Sequence, residues 1–249
     1  MRHAMIAACA ALSFPTSALA QSGEWEYSAS IYGWFATLDT SVETPLGTVE
    51  TELSFSDIWD DLNIALTGAL EARRGAWSFI GDLNYADLSS ERATPFGAAF
   101  SRAEVDTRLA MISGSAAYAV LDTPEARVDL TGGFRFYDVD LDTRLVAAGA
   151  PADQTFSSSE SWFDPVIGVR IRAPLSPDWF INAFADVGGF GLGNASDLSW
   201  QAYGGLGYRF NERWSMQGGY RHLSIEKDLG GRDTNLDLSG LLVGATVQF

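Results

Sequence analysis

Leu241-Leu242-Val243-Gly244-Ala245-Thr246-Val247-Gln248-Phe249, the final stretch of the chain, decides the fold. Leu241, Val243, Ala245, Val247 and Phe249 fall on one face of an extended backbone, and Gly244, Thr246 and Gln248 fall on the other. Successive side chains of a strand point to opposite sides, so this period makes one side apolar and the other small or polar. The edge strand of a soluble sheet can carry the same pattern. The rest of the chain decides between that and a wall that faces lipid.

Similar alternation recurs upstream. It predicts strands over Trp25–Leu38, Ile64–Arg73, Ala76–Asp87, Arg102–Leu121, Arg127–Leu141, Trp162–Ala173, Trp179–Gly188, Leu198–Phe210 and Trp214–Ile225, about ten in all with the terminal one. In the second, Ile64, Leu66 and Leu70 oppose Thr67, Glu71 and Arg73; in the third, Trp77, Phe79 and Leu83 oppose Asp82 and Asn84. In the fourth, Val105, Leu109 and Met111 read as the apolar outer set, which turns Glu104, Asp106 and Arg108 inward. Connections near residues 74, 123, 176 and 212 are tight, whereas those over 41–63, 89–101, 146–160, 188–197 and 226–235 are longer and rich in Gly, Ser and acids. This is the layout of an all-β, transmembrane, antiparallel up-and-down β-barrel, with eight strands as the alternative count. Ser56 is the expected N-cap of a short helix over Asp57–Leu62 in the first long connection.

Aromatic residues support a membrane wall. Trp25, Trp77, Trp179, Tyr208, Phe210, Trp214 and Phe249 lie beside tight turns or termini, and Phe35, Tyr85, Phe136, Phe163, Trp200 and Tyr220 lie toward the long connections. Two such bands around a Leu/Ile/Val/Gly/Ala belt suit a bilayer, while a soluble barrel needs neither. At the other end of the chain, Arg2 and His3 precede an apolar run from Ala4 to Phe14, and Ala18-Leu19-Ala20 has the form of a cleavage site. The expected organisation is therefore a signal peptide over residues 1–20, cut at Ala20–Gln21, and one barrel domain over 21–249. Cys9 is the only cysteine and falls in the leader, so the mature chain offers no thiol chemistry. The whole chain has 16 basic and 32 acidic residues; loss of Arg2 leaves 15 against 32, or −17, which argues against a nucleic-acid partner.

The terminal Phe249 on its alternating strand resembles the signal that the barrel-assembly machinery of bacterial outer membranes reads. Phe55-Ser56-Asp57-Ile58, Glu71-Ala72-Arg73-Arg74-Gly75-Ala76-Trp77, Asp164-Pro165-Val166-Ile167-Gly168-Val169-Arg170, Asp186-Val187-Gly188-Gly189-Phe190-Gly191 and Gly219-Tyr220-Arg221 resemble segments of small proteobacterial outer-membrane barrels of unassigned function. These are loosely related to the OmpA-like and OmpW-like barrels. The resemblance implies a Gram-negative outer-membrane location with both termini periplasmic, surrounding lipids and lipopolysaccharide as neighbours, and a monomer. An even strand count gives the same placement of the termini.

On this reading Glu71, Asp82, Glu104, Asp106, Asp129, Asp164 and Asp186 share the lumen with Arg73, Arg108, Arg135, Arg170, Arg172, Arg209 and Arg221. A barrel of about ten strands is little wider than one that side chains fill, so arginines are expected to reach carboxylates across it. The consequence is a salt-bridged plug or a narrow passive channel, without enzymatic activity. A hydrolase is the rival. His222 and Ser224, two residues apart on one face, with Glu226 nearby, resemble the arrangement in outer-membrane lipid A deacylases, the imidazole acting as base and the hydroxyl as nucleophile. The Asn-Ala that follows the serine in that family is here Ile225-Glu226. A third reading is a surface barrel that presents its acidic loops to a ligand or an adhesion partner. Gly188-Gly189-Phe190-Gly191-Leu192-Gly193 precedes a strand and not a helix, so it reads as a flexible hairpin and not as a phosphate loop. Asp57, Asp60 and Asp61 lack the spacing of a calcium loop, and no cofactor or metal is expected.

Overall fold

The computed structural model describes residues 23–44, 47–93, 100–149, 152–229 and 231–249. The expected leader and its cleavage position lie outside these. In chain order the elements are β1 (Glu26–Thr44), β2 (Gly47–Leu53), α1 (Phe55–Asp61), β3 (Leu62–Arg74), β4 (Trp77–Ala93), β5 (Phe100–Asp122), β6 (Arg127–Ala147), β7 (Gln154–Pro174), β8 (Trp179–Gly188), β9 (Leu198–Arg209), β10 (Trp214–Asp228) and β11 (Asp233–Gln248). Each consecutive strand from β3 to β11 pairs antiparallel with the next, and β11 returns to β1 from Ser28↔Gln248 to Val42↔Thr234. Ten strands thus close the ring, and the count of eight is set aside; β2 is an eleventh that pairs only with β1. No helix among the described residues is long and apolar enough to cross a membrane.

The closing strand follows its sequence pattern. Leu241, Val243 and Phe249 are exposed on the outer face, Leu242 is buried inside, and inward Thr246 shares a 2.8 Å hydrogen bond with Ser30 of β1. At the end that carries the tight turns, Tyr27 stacks on Phe249 and on Trp25, Trp77 packs edge-on against Tyr118, and Trp179 does the same with Tyr208. These rings line the outer wall as a girdle. The same face carries exposed Ile31, Leu70, Leu130, Ile167 and Leu206 higher up.

Several expectations need correction. On β5 it is Met111 and Ala117 that are buried inside, while Ile112, Tyr118 and Val120 face out. Glu104, Asp106 and Arg108 therefore stand on the outer face. There Arg108 lies 3.6 Å from Asp87, Asp106 accepts from Ser89, and Glu104 pairs with Arg102 and Arg144. Polar and apolar faces exchange roles because β5, β6 and β7 run for 23, 21 and 21 residues, about twice what a bilayer needs, and their upper halves stand clear of lipid. Loops expected at 89–101, 146–160 and 226–235 are accordingly shorter than read, since strand pairing continues into them. In that outer layer Asp153 accepts from the Ala147 N–H and from Arg144, and these two donors hold its carboxyl below the usual carboxylate range.

The first long connection also differs. The β1–β2 hairpin occupies much of it, and α1 begins at Phe55, its N-cap being Ser54 and not Ser56. Ser54 Oγ accepts from the Asp57 N–H at 3.3 Å and Asp57 accepts from the Ser54 N–H at 3.1 Å, a reciprocal pair that needs an acid three residues after the cap. The helix leans on β1 through Phe55, edge-on to Phe35. The β1–β3 pairing ends at Ile31↔Gly68, and the β1–β2 pairing starts at Leu38.

Candidate functional site

Side chains fill the barrel in two chemically distinct layers. Nearer the turns lies a charged layer. Glu71 on β3 receives Arg170 at 2.8 Å and Arg172 at 2.8 Å from β7, four strands around the ring, so this bridge crosses the lumen. Asp129 accepts from Arg127 at 2.8 Å and from Arg170 at 3.1 Å. Arg73 pairs with Glu26 at the rim. Higher up, Arg135 donates to Asp186 at 2.8 Å, Asp186 accepts from Gln201, and Gln201 Oε1 accepts from Arg221 at 2.7 Å. This chain links β6, β8, β9 and β10. Asp82 accepts from Tyr32 Oη at 2.6 Å and from Asn84.

Not every expected member pairs with an opposite charge. Asp164 is fully buried and accepts from the Ser196 N–H and the Ser199 hydroxyl, each at 2.7 Å. Arg209 lies over the Phe180 ring at 5.0 Å and donates to Pro177 O. Arg221 lies over Trp34 at 4.5 Å, and Gln201 is its only hydrogen-bond partner among the described residues. Sequence reasoning missed Arg127, Glu26, Tyr32 and Gln201. Arg127 opens the fifth predicted strand and alternates in phase with Asp129, a signal that was present.

Toward the long loops the filling is apolar. Met111, Tyr137, Trp162, Leu223 and Ile225 form a buried cluster, with Trp34, Val139, Leu229, Leu236 and Leu238 packed against it. Tyr137 stacks on Trp162 at 4.8 Å. The connection between β8 and β9 seals this layer. Ser196 accepts from Trp162 Nε1 at 2.9 Å, and Lys227 Nζ donates to Asn194 O at 2.8 Å while lying 5.4 Å from the Trp162 ring. Gly189, Phe190, Gly191 and Gly193 all take positive φ, so the glycine-rich stretch is a tightly wound loop anchored to the lumen, not a loose hairpin. Ala195 and Ser196 are buried beneath it.

The hydrolase constellation is not assembled as named. His222 and Ser224 share the outer face, but the carboxylate beside the imidazole is Asp237 of β11, 3.6 Å from Nε2, and not Glu226. Glu226 sits opposite Asn235 and Leu198, farther up β10. Ser224 is 6% exposed, no hydrogen bond joins it to His222 among the described residues, and the His222 ring instead packs on Trp200. The described residues contain no group of three or more His, Cys, Asp or Glu placed to hold a metal.

Comparison with solved structures finds the same architecture at low identity. The translocator domain of autotransporter NalP from Neisseria meningitidis superposes with a TM-score of 0.53 at 14% identity, over 93% of this chain and 91% of that one. The outer membrane protease OmpT from Escherichia coli gives 0.52 at 10% identity, over 94% and 100%. Ail, the attachment invasion locus protein of Yersinia pestis, aligns over 91% and 99% at 9% identity, with a TM-score of 0.39. None of the curated proteins matches the sequence. The outer membrane protein beta-barrel domain family matches residues 6–249, nearly the whole chain, and with the closed ring of strands this makes the protein a member of that family.

Proposed function

We propose that this barrel is a non-enzymatic, structural protein of the outer membrane whose lumen is closed at rest. The turn end and both termini face the periplasm, and the long hairpins face outward. The observation that carries this reading is the double closure: the Arg135–Asp186–Gln201–Arg221 chain, with Arg221 over Trp34 of β1, spans the lumen at one height, and the Met111–Tyr137–Trp162–Leu223–Ile225 cluster fills it at another. Any solute would have to displace both layers. The protein acts as a monomer among lipids and lipopolysaccharide, delivered by the barrel-assembly machinery.

Planar-bilayer recording of the purified wild-type barrel tests this. The expected result is no steady conductance, with at most brief small events. A large and steady conductance would overturn the closed-lumen reading and favour an open pore.

A further inference from the structure

Below the apolar layer the lumen is not solid. A cavity of about 440 Å³ runs from the Arg135–Asp186–Gln201–Arg221 chain down to the tight turns, where Thr123, Asn211 and Arg213 rim it. That volume lies within the range of small-molecule sites. Glycine keeps it open. A Cβ on Gly205 would meet Tyr203 Oη at 2.3 Å, and one on Gly219 would meet the Tyr203 ring at 2.8 Å; one on Gly207 would meet the Phe180 ring at 2.1 Å. The two rings therefore lie flat against the bare backbone of β9 and β10 instead of crossing the lumen. Phe184 stacks on Tyr203 at 5.3 Å and completes an aromatic wall.

Arginines outnumber carboxylates on the cavity lining, and Asp82, a carboxylate there without an arginine partner among the described residues, is bonded to Tyr32 and Asn84. Arg221 is 3% exposed, and among the described residues its hydrogen bonds, from Nε and Nη2, go only to the neutral carboxamide of Gln201. Arg209 at the mouth has no carboxylate partner among the described residues, and Arg172 shares Glu71 with Arg170. Two buried atoms on the lining that can donate, Arg135 Nε and Tyr203 Oη, have no hydrogen-bond partner among the described residues. A buried cation without compensation is costly, and an acceptor supplied from outside would relieve it. This is the reverse of the chain as a whole, which carries a net charge of −16.

We propose that this cavity binds a small planar organic anion from the turn side. Its carboxylate is held by Arg221, and its flat body lies against Phe184, which Tyr203 backs and Arg221 approaches to 6.0 Å. Arg209 and Arg172 draw it in. The flat aromatic wall selects the body and the uncompensated guanidinium selects the charge, so neither an uncharged aromatic nor a compact inorganic anion satisfies both.

Ligand-observed ¹⁹F NMR on the refolded barrel in zwitterionic micelles provides the test, with 4-(trifluoromethyl)benzoate as probe and 4-(trifluoromethyl)benzyl alcohol as the uncharged control. The carboxylate should show saturable broadening that unlabelled benzoate reverses and that inorganic phosphate at equal concentration does not. Arg221→Gln should weaken it by about tenfold, the worth of one charge-assisted hydrogen bond. Should that variant lose heat-modifiable gel mobility, Arg209→Gln decides. It removes only a rim contact and should weaken binding by about threefold, and less in high salt. The proposal is overturned if the alcohol binds as well as the carboxylate, or if the broadening persists with boiled protein. It also fails if every correctly folded arginine variant binds like the wild type.

Discussion

Phe249 closes the ring at its most vulnerable point. Its N–H donates to Tyr27 O at 3.0 Å, its carbonyl accepts from the Tyr27 N–H at 3.1 Å, and the two rings stack at 6.1 Å. Because the side chain is 72% exposed on the lipid-facing wall, Phe249→Ser removes aromatic girdle area where Gln248→Ser touches only the inner rim. The former should lower the yield of heat-modifiable barrel several-fold and the latter little; equal yields would remove the argument from terminal alternation. His222 makes the opposite case. Its ring packs on Trp200 and the carboxylate beside it is Asp237, while Ser224 is closed off, so His222→Ala is expected to leave lipid A acylation unchanged in mass spectra. A deacylated species that depends on both His222 and Ser224 would restore the hydrolase reading.

Among the elements, α1 is the one whose formation rests on a few local contacts, since it has only seven residues and buries none of them. Isolated helices of that length are unstable, so the Ser54–Asp57 capping box and the Phe35–Phe55 contact carry it. Ser54→Ala should cost about 1 kcal/mol locally, read as roughly fivefold faster amide exchange over residues 55–61 without change in the barrel strands. Unchanged exchange would show that tertiary packing, and not the cap, sets the helix. Such elements also mark how far sequence reading reaches. Strict alternation made the facing of β3, β4, β6 and β11 legible, though not their full length, because over the membrane span each has one face in lipid and one in the lumen. On β5 the same logic failed at Glu104, Asp106 and Arg108, since above the bilayer the outer face is wet and accepts charge. Ser56 was a reasonable cap by type, but only Ser54 has the acid three residues on. The pairing of arginines with carboxylates was readable as composition. That Arg170 would reach Glu71 across the lumen and Arg221 would end on a glutamine depends on strand register, which no periodicity encodes.

For the molecule as a whole the decisive feature is that its two filling layers are mechanically separate. Composition alone suggests that removing one arginine from the lumen opens it. The structure argues otherwise, because Arg135 and Arg221 lie below the Tyr137–Trp162 stack and neither holds the β8–β9 connection in place. That connection is anchored by Asp164, Trp162 and Lys227. Arg135→Ala or Arg221→Ala should therefore lower thermal stability yet leave conductance near the wild-type level. Trp162→Ala should loosen the outer layer by deleting both the ring stack and the bond to Ser196, with the arginine chain still in the way. Only Trp162→Ala combined with Arg221→Ala should give sustained current, larger than the sum of the single effects, since two barriers in series must both fall. Single-channel recordings on the three single variants and the double variant measure this. A lone Arg221→Ala barrel that conducts as well as the double variant would show that the charged layer is the whole barrier and the apolar cluster merely packing.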